Sequence, residues 1–567
     1  MAQQPQRPQQ QGQQPQLQQQ QQTPQQGRPN ILFIMGDDIG WMQPSIYHQG
    51  LMVGETPNID RIGREGVKFT DYYAEQSCTA GRTAFFTGMN PLRVGMTLPE
   101  IPGSPSYLQP GTPTLAKALL DLGYTTGEFG KNHLGDHTDS LPTAHGFQEY
   151  WGYLYHLDAM QGVSFLDINK TPTQQTVAPP CKNTPIPGLP EVPGAVDPKT
   201  TLCLTPPRPV IWCKSSDGTG RNQNCSDEGP LTLERSKTVD EEISAKVIDF
   251  LDRNDPKKTN KPFFVWYNPA RMHITTVLSP KYMAMVGEAG GKDWGVNEAG
   301  MKQMDDNIGD VLKKLEDMGQ LDNTIVVFTT DNGAETITYP DGGTTPFAGG
   351  KLTTWEGGMR APLVVRWPGH IAPGTVKNQM FAALDWLPTF VDIAGGPKGN
   401  ELKAQIERGA YPGFVKTTID GKNQRAFLEG QSASARDLFF YYSNKTPSAV
   451  RYKNWKMYFG MVSQTPTGAF TGVIPYAWTQ VVNIKRDPFE TSIGEHTKTM
   501  FGMGGALAGP VTAYVYDWNL LPIGQAAWLK ELESYVPFPP LQNPASYNLD
   551  QVLQQVREMK TSGHASE

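Results

Sequence analysis

The chain of 567 residues contains no apolar run approaching the ~18 residues that a helical membrane span requires. It also lacks any cluster of Lys and Arg of the kind that grips a phosphate backbone. With 49 Lys and Arg against 56 Asp and Glu, the net charge is -7, which argues against a nucleic-acid partner. Histidine is scarce, and the nine His form no cluster of the sort a two-zinc phosphatase uses. The first 26 residues hold sixteen Gln and almost nothing apolar, so 1–27 is expected to be a disordered Gln/Pro-rich tail. That tail has no apolar signal-peptide core, and Ala2-Gln3-Gln4 suits a mature start behind a removed leader.

Cysteine is scarce too, and its five copies fall into two settings. Cys78 stands alone. Cys181, Cys203, Cys213 and Cys225 lie in a Pro-rich, loop-like insert at about 155–235, with gaps too wide for the C-x-x-C pairs of a zinc site. Two disulfides are expected, four free thiols being the alternative. Disulfides imply an oxidising compartment, so a periplasmic or secreted protein is expected, with the cytoplasm as the alternative.

What the chain does have is enough apolar mass for a large core, 38% hydrophobic with 12 Trp and 23 Phe. Five short apolar runs adjoin residues that can do chemistry. Ile31-Leu32-Phe33-Ile34-Met35 precedes Asp37 and Asp38, Tyr124 to Phe129 precedes Lys131 and His133, and Phe263-Phe264-Val265-Trp266 precedes His273. Ile325-Val326-Val327-Phe328 precedes Asp331 and Asn332, and Leu363-Val364-Val365 follows Lys351 and Glu356. Runs without alternation read as strands buried on both faces, as in parallel sheets, where ligands bind beyond the strands' carboxyl ends.

Amphipathic helices fall between the runs. One is expected from a Thr112 cap through Pro113, Leu115, Leu119 and Leu122 to Gly123, and others over Val239 to Leu251 and Met301 to Met318. The expected fold is α/β, a large mixed, mostly parallel sheet sandwiched by helices over 28–420. Short aromatic segments (Phe439 to Tyr442, Trp455 to Phe459) predict a smaller C-terminal domain, 421–567, on a short antiparallel sheet.

Asp37, Asp38, Asp331 and the amide oxygen of Asn332 make an all-oxygen set suited to a hard cation, Ca²⁺ or Mg²⁺. Any one acidic pair at a strand end is most often a turn or cap. Four of the five runs carry their polar residues on the carboxyl side, and that common edge calls for a site. Small residues after Cys78 (Thr79-Ala80-Gly81-Arg82) could start a helix whose free amides favour a bound anion.

The stretch Cys78-Thr79-Ala80-Gly81-Arg82 to Thr87-Gly88 resembles the signature of the sulfatase family, in which the Cys is oxidised after translation to formylglycine. Pro29 to Asp38, Gly130-Lys131-Asn132-His133-Leu134-Gly135, Asp322 to Gly333, Lys351 to Gly358 and Arg366-Trp367-Pro368-Gly369 match in family order. Departures are Ala80 and Gly81 for the commoner Pro and Ser, Asn132 where Trp is common, and four residues, Pro269 to Met272, immediately ahead of His273.

The resemblance implies an alkaline phosphatase-like fold and a sulfuric ester hydrolase of the arylsulfatase type. It implies that Asp37, Asp38, Asp331, Asn332 and residue 78 hold one divalent cation, most often Ca²⁺. It further implies that Arg82 orients the hydrated aldehyde, that Lys131 and Lys351 bind sulfate, and that His273 protonates the departing alcohol. His133 would take the proton whose loss expels sulfate and regenerates the aldehyde. The substrate would be a small-molecule or glycan sulfate ester, and a formylglycine-generating enzyme would be a partner. The competing readings are a formylglycine-dependent phosphonate monoester hydrolase or phosphodiesterase, and a non-catalytic binder of sulfated glycans.

Overall fold

The run Ile31 to Met35 forms the body of a central strand, β1 (Asn30–Gly36), all seven residues of which are buried. Ile31, Phe33 and Met35 pack into one apolar layer, and Leu32 and Ile34 into the other. A strand covered on both sides has no solvent face, which is why its sequence shows no alternation. The first layer contains the helices Cys78–Thr87, Leu115–Asp121 and Trp386–Ile393, and the second contains Pro57–Arg64, Val239–Arg253 and Val296–Asp317.

The structure, a computed structural model, describes residues 27–161, 207–274, 276–287, 292–336, 343–463, 472–493 and 519–545. Ten further strands complete the main sheet: β2 (Val67–Tyr73), β3 (Thr125–Lys131), β4 (Glu149–Tyr153), β5 (Pro209–Lys214), β6 (Asn224–Pro230), β7 (Phe263–Asn268), β8 (Thr324–Thr330), β9 (Arg360–Arg366), β10 (Thr375–Lys377) and β11 (Phe381–Ala382). Their order is β10-β2-β9-β8-β1-β7-β3-β4-β5-β6, with β11 also on β2. The centre, β8-β1-β7-β3-β4, is parallel. β9 is antiparallel to β8 and β2. Reversal of β9 brings the residues before it to the same edge as the residues after β1, β3, β7 and β8, so the fifth run belongs with the other four.

Three local expectations need correction. The helix expected from Thr112 begins at Leu115, because the Thr112 hydroxyl donates to the Gln109 carbonyl (2.7 Å) and leaves Thr114 at the cap position. The helix expected from Met301 begins at Val296: its first turn carries Glu298, whose carboxylate accepts from the Gly295 N–H (2.8 Å), ahead of the apolar stripe. The insert is not all loop, since 209–230 supplies β5 and β6, which extend the sheet antiparallel beyond β4.

One disulfide, Cys213–Cys225, joins β5 to β6 at directly paired positions. Cys181 and Cys203 lie outside the described residues, as does the Gln-rich segment 1–26. A bridge closing a loop of this length stabilises by about 3 kcal/mol through the unfolded state. Cys213→Ser is therefore expected to lower thermal stability and to loosen the hairpin first, as amide exchange in 209–230 faster than in β1. Unchanged exchange there would show that the bridge contributes nothing to the edge.

A second, four-stranded antiparallel sheet follows in the order β12 (Leu438–Ser443), β13 (Thr446–Tyr452), β14 (Trp455–Met461) and β15 (Ile474–Asn483). The helix Leu520–Glu533 covers it through Trp528, whose ring meets Phe440 and Tyr442 edge-on at 5.0 Å. Buried charges tie this sheet to the main one. Arg451 grips Asp71 with two bonds (2.6 and 2.7 Å), and Lys456 reaches Glu356 (3.0 Å), which also accepts from Tyr441 (3.0 Å). Glu356 thus serves the contact between sheets, not the chemistry its place beside Lys351 suggested. No described helix is long and apolar enough to cross a membrane.

Candidate active site

At the end of β1 the chain turns sharply, and backbone bonds hold the turn against the residues after β7. The Asp37 N–H donates to the Arg271 carbonyl (3.1 Å) and the Met272 N–H to the Asp37 carbonyl (2.6 Å). Asp38 sits in left-handed backbone (φ 61°), a region that Asp tolerates better than most residues. Its N–H donates to Asp331 Oδ1 (3.2 Å), and Asn332 Nδ2 donates to Asp38 Oδ1 (2.9 Å), joining the ends of β1 and β8. All four of these side chains are fully buried.

The helix Cys78–Thr87 lies across this junction, and Gly81 is what lets it. A Cβ there would stand 1.8 Å from the Asp331 carbonyl oxygen, so the family's commoner Ser would force the helix away from β8. The close approach sets Cys78 Sγ 3.7 Å from Asp38 Oδ1. One turn on, Arg82 Nε and Nη2 meet Asp331 Oδ2 (3.0 and 2.9 Å), and Nη1 donates to the Lys131 carbonyl (2.9 Å).

Two lysines, Lys131 fully buried and Lys351 partly buried, face the carboxylates: Lys131 Nζ is 2.6 Å from Asp37 Oδ2, and Lys351 Nζ is 2.7 Å from Asp38 Oδ2. Burial pushes the Asp38 carboxyl up, but Lys351, His273 and Lys131 outweigh it and hold it well below the usual range. Burial and the neighbouring Asp37 push Asp331 up to about 6. Burial also raises the Cys78 thiol well above its ordinary value, against the pull of both lysines.

The two expected histidines take opposite orientations. His133, also in left-handed backbone (φ 63°), has Nε2 2.8 Å from the Glu100 carbonyl, which can only accept, so Nε2 carries the proton. Nδ1 is then a bare acceptor, buried and without a hydrogen-bond partner. His273 turns Nδ1 to the Ile274 carbonyl (3.0 Å) and Nε2 toward Asp38 Oδ2 (3.8 Å). Burial, then Lys351, lowers its pKa to about 3. The intervening Pro269 to Met272 do not keep it away from the edge.

All ten expected residues therefore converge, and the carboxylate set suits a hard cation. Asp37 Oδ1 and Asn332 Oδ1 are buried oxygens with no protein hydrogen-bond partner, a costly state that a cation between them would relieve. Ligand atoms of Asp37, Asp38, Cys78 and His273 lie within 4.8 Å of one another.

Four further residues escaped the sequence reading. Glu128, raised to about 8 by burial, accepts from Asn132 (3.0 Å) and Asn268 (3.2 Å), so Asn132 braces the turn before His133. Glu100 supplies the carbonyl that His133 bonds. His156 and Asp158, bonded to each other, follow β4, and the same signal marks them: Tyr150-Trp151-Gly152-Tyr153 is a buried run ending on polar residues.

The profile of the family described as Sulfatase matches residues 29–396. Human arylsulfatase A is 30% identical over 439 residues, covering 75% of this chain and 72% of its own. Steryl-sulfatase from Mus musculus is 30% identical over 489 residues, 78% of this chain and 72% of its own. Among solved structures, the PsFucS1 sulfatase from Pseudoalteromonas sp. superposes with a TM-score of 0.70 at 24% identity, covering 91% and 92% of the two chains, a likeness of fold. With the profile spanning most of the chain and arylsulfatases matching over three quarters of it, this protein belongs to the sulfatase family and is a sulfuric ester hydrolase of the arylsulfatase type.

Proposed function

We propose that the protein releases inorganic sulfate and an alcohol or phenol from a sulfate ester, with formylglycine made from Cys78 as nucleophile. One divalent cation, Ca²⁺ with Mg²⁺ as the alternative, is held by Asp37, Asp38, Asp331, Asn332 and residue 78. The observation that carries this is the convergence of the Cys78 helix start on three carboxylates, two lysines and two unsatisfied buried oxygens. Bound there, the cation supplies Lewis-acid withdrawal of charge from the sulfate oxygens. Oxidised and hydrated, residue 78 supplies two hydroxyls, one to attack sulfur and one whose deprotonation lets sulfate leave. Because Cys78 is only 1% exposed, a formylglycine-generating enzyme must act before the chain closes over it.

The remaining residues hold and move protons and charge. Lys131 and Lys351 donate to sulfate oxygens, and Arg82, pinned by Asp331, orients the hydroxyls of residue 78. His133 accepts a proton at its bare Nδ1. His273 delivers one from Nε2 to the departing oxygen, and a sulfate anion seated against Lys131 and Lys351 offsets the charges that lower its pKa. The Cys213–Cys225 bridge supports a periplasmic or secreted location.

The test is rate against leaving-group pKa. His273→Ala is expected to cost on the order of 10²–10⁴-fold on esters of poorly acidic alcohols and far less on activated aryl sulfates, whose phenolates leave unaided. His133→Ala is expected to slow sulfate release by a similar factor whatever the leaving group. Equal slopes for His273→Ala and the unmodified enzyme would remove His273 from the acid role. Faster turnover of aryl phosphonate than aryl sulfate would overturn the sulfate reading itself.

A further inference from the structure

His156 and Asp158 stand just past β4 and are more open than the residues around them, with side chains 16% and 14% exposed where those of Asp37, Asp38 and Lys131 are 0% exposed. The His156 ring lies between the other two imidazoles. It stacks on His273 with centroids 5.4 Å apart and planes 15° apart, and is 5.5 Å from His133. Asp158 Oδ1 makes a close bond to His156 Nδ1 and lies 3.8 Å from His273 Nδ1.

That contact decides the proton's place on His156. The Ala159 N–H also approaches Nδ1, but at 3.4 Å, and the much closer carboxylate can only accept. His156 therefore carries its proton on Nδ1 and leaves Nε2 as a bare acceptor on a partly exposed ring. The nearby alternatives are turned inward: the carboxylates face lysines, the bare nitrogen of His133 is sealed, and His273, whose Nδ1 bonds the Ile274 carbonyl, points its Nε2 at Asp38.

Resting on the proposed reading of the site, we infer that His156 and Asp158 form the wall that receives the alcohol half of the ester. Asp158 is a positioning residue, and His156 Nε2 accepts a hydrogen bond from a hydroxyl near the esterified carbon. The substrate class this favours is a sulfated sugar, because a sugar carries hydroxyls beside its esterified carbon, where a simple phenol or a monohydroxy steroid has only C–H. A site built to bond a hydroxyl discriminates against the analogue lacking it, since its own polar group is left unpaired.

The experiment uses the formylglycine-bearing protein with Ca²⁺, 4-nitrophenyl sulfate as a reference, and monosaccharide 3-, 4- and 6-sulfates. Each sugar is measured beside the counterpart that lacks the nearest free hydroxyl. For at least one pair kcat/KM is expected to fall about tenfold on removing the hydroxyl. His156→Phe, which keeps the stacked ring and loses the acceptor, is expected to bring that ratio to about one. His156→Gln, which keeps an acceptor oxygen, should give a ratio in between, and it decides the matter if the Phe variant does not fold. An undiminished ratio in the variants, a ratio of one in the unmodified protein, or turnover of 4-nitrophenyl sulfate without any sugar ester would overturn the inference and leave the sulfatase reading standing. No turnover of any ester would overturn both.

Discussion

Cys78→Ala is expected to give a folded protein with no measurable sulfate-ester turnover, a loss on the order of 10⁴-fold or more, as when a covalent nucleophile is removed elsewhere. The structure separates the two halves of that expectation. Cys78 is small, almost fully buried, and makes one polar contact, at 3.7 Å to Asp38 Oδ1, so its truncation leaves a cavity costing only about 1 kcal/mol. Burial raises the thiol's pKa well above its ordinary value, which disfavours an unmodified Cys78 as nucleophile and supports the proposal that the oxidised side chain fills that role. Cys78→Ser is expected to fail as well, because it keeps one hydroxyl and lacks the second. The check is turnover alongside the mass of the peptide carrying residue 78. Full activity in the alanine variant, or active enzyme whose peptide carries only thiol, would overturn the assignment.

Much of this site was readable because buried strands write their position into the sequence. Ile31 to Met35 and Ile325 to Phe328 have no solvent face, and their endings, Asp37-Asp38 and Asp331-Asn332, meet through the Asn332–Asp38 bond. Direction was not readable. An apolar run looks the same in either sense, so nothing in Leu363-Val364-Val365 announced that β9 runs backwards and brings Lys351 to the edge from its near side. Glu356 misled for a related reason: spacing placed a carboxylate near the edge, but only the fold could show Lys456 arriving from the second sheet to claim it. Gly81 carried its meaning in what it omits. The 1.8 Å clearance to Asp331 is a contact between segments 250 residues apart, and no local pattern encodes it. The β5–β6 hairpin was hidden because β6 is an exposed polar strand with no apolar run, and the short Val210 to Cys213 run of β5 lies among prolines.

Asp331→Ala is expected to remove activity and stability together, by separate routes. Asp331 gives Oδ2 to Arg82 and lies against Asp38 through Oδ1, so its loss takes a ligand from the proposed cation and the counter-charge from a fully buried guanidinium. Leaving one member of a buried pair uncompensated costs about 3–5 kcal/mol, which should appear as a clear fall in Tm. Loss of the cation takes away Lewis-acid help worth several kcal/mol, so the rate should drop by on the order of 10³-fold or more. The two routes part on chelation. Unmodified enzyme stripped of its metal keeps the Arg82–Asp331 pair, so it should lose turnover and regain it when Ca²⁺ is returned. The Asp331→Ala variant should recover neither rate nor Tm at any Ca²⁺ concentration that saturates the parent. Full activity in exhaustively stripped enzyme would show that the carboxylates at the ends of β1 and β8 hold no catalytic cation, whereas an unchanged Tm in the variant would mean that Arg82 finds another partner once Asp331 is gone.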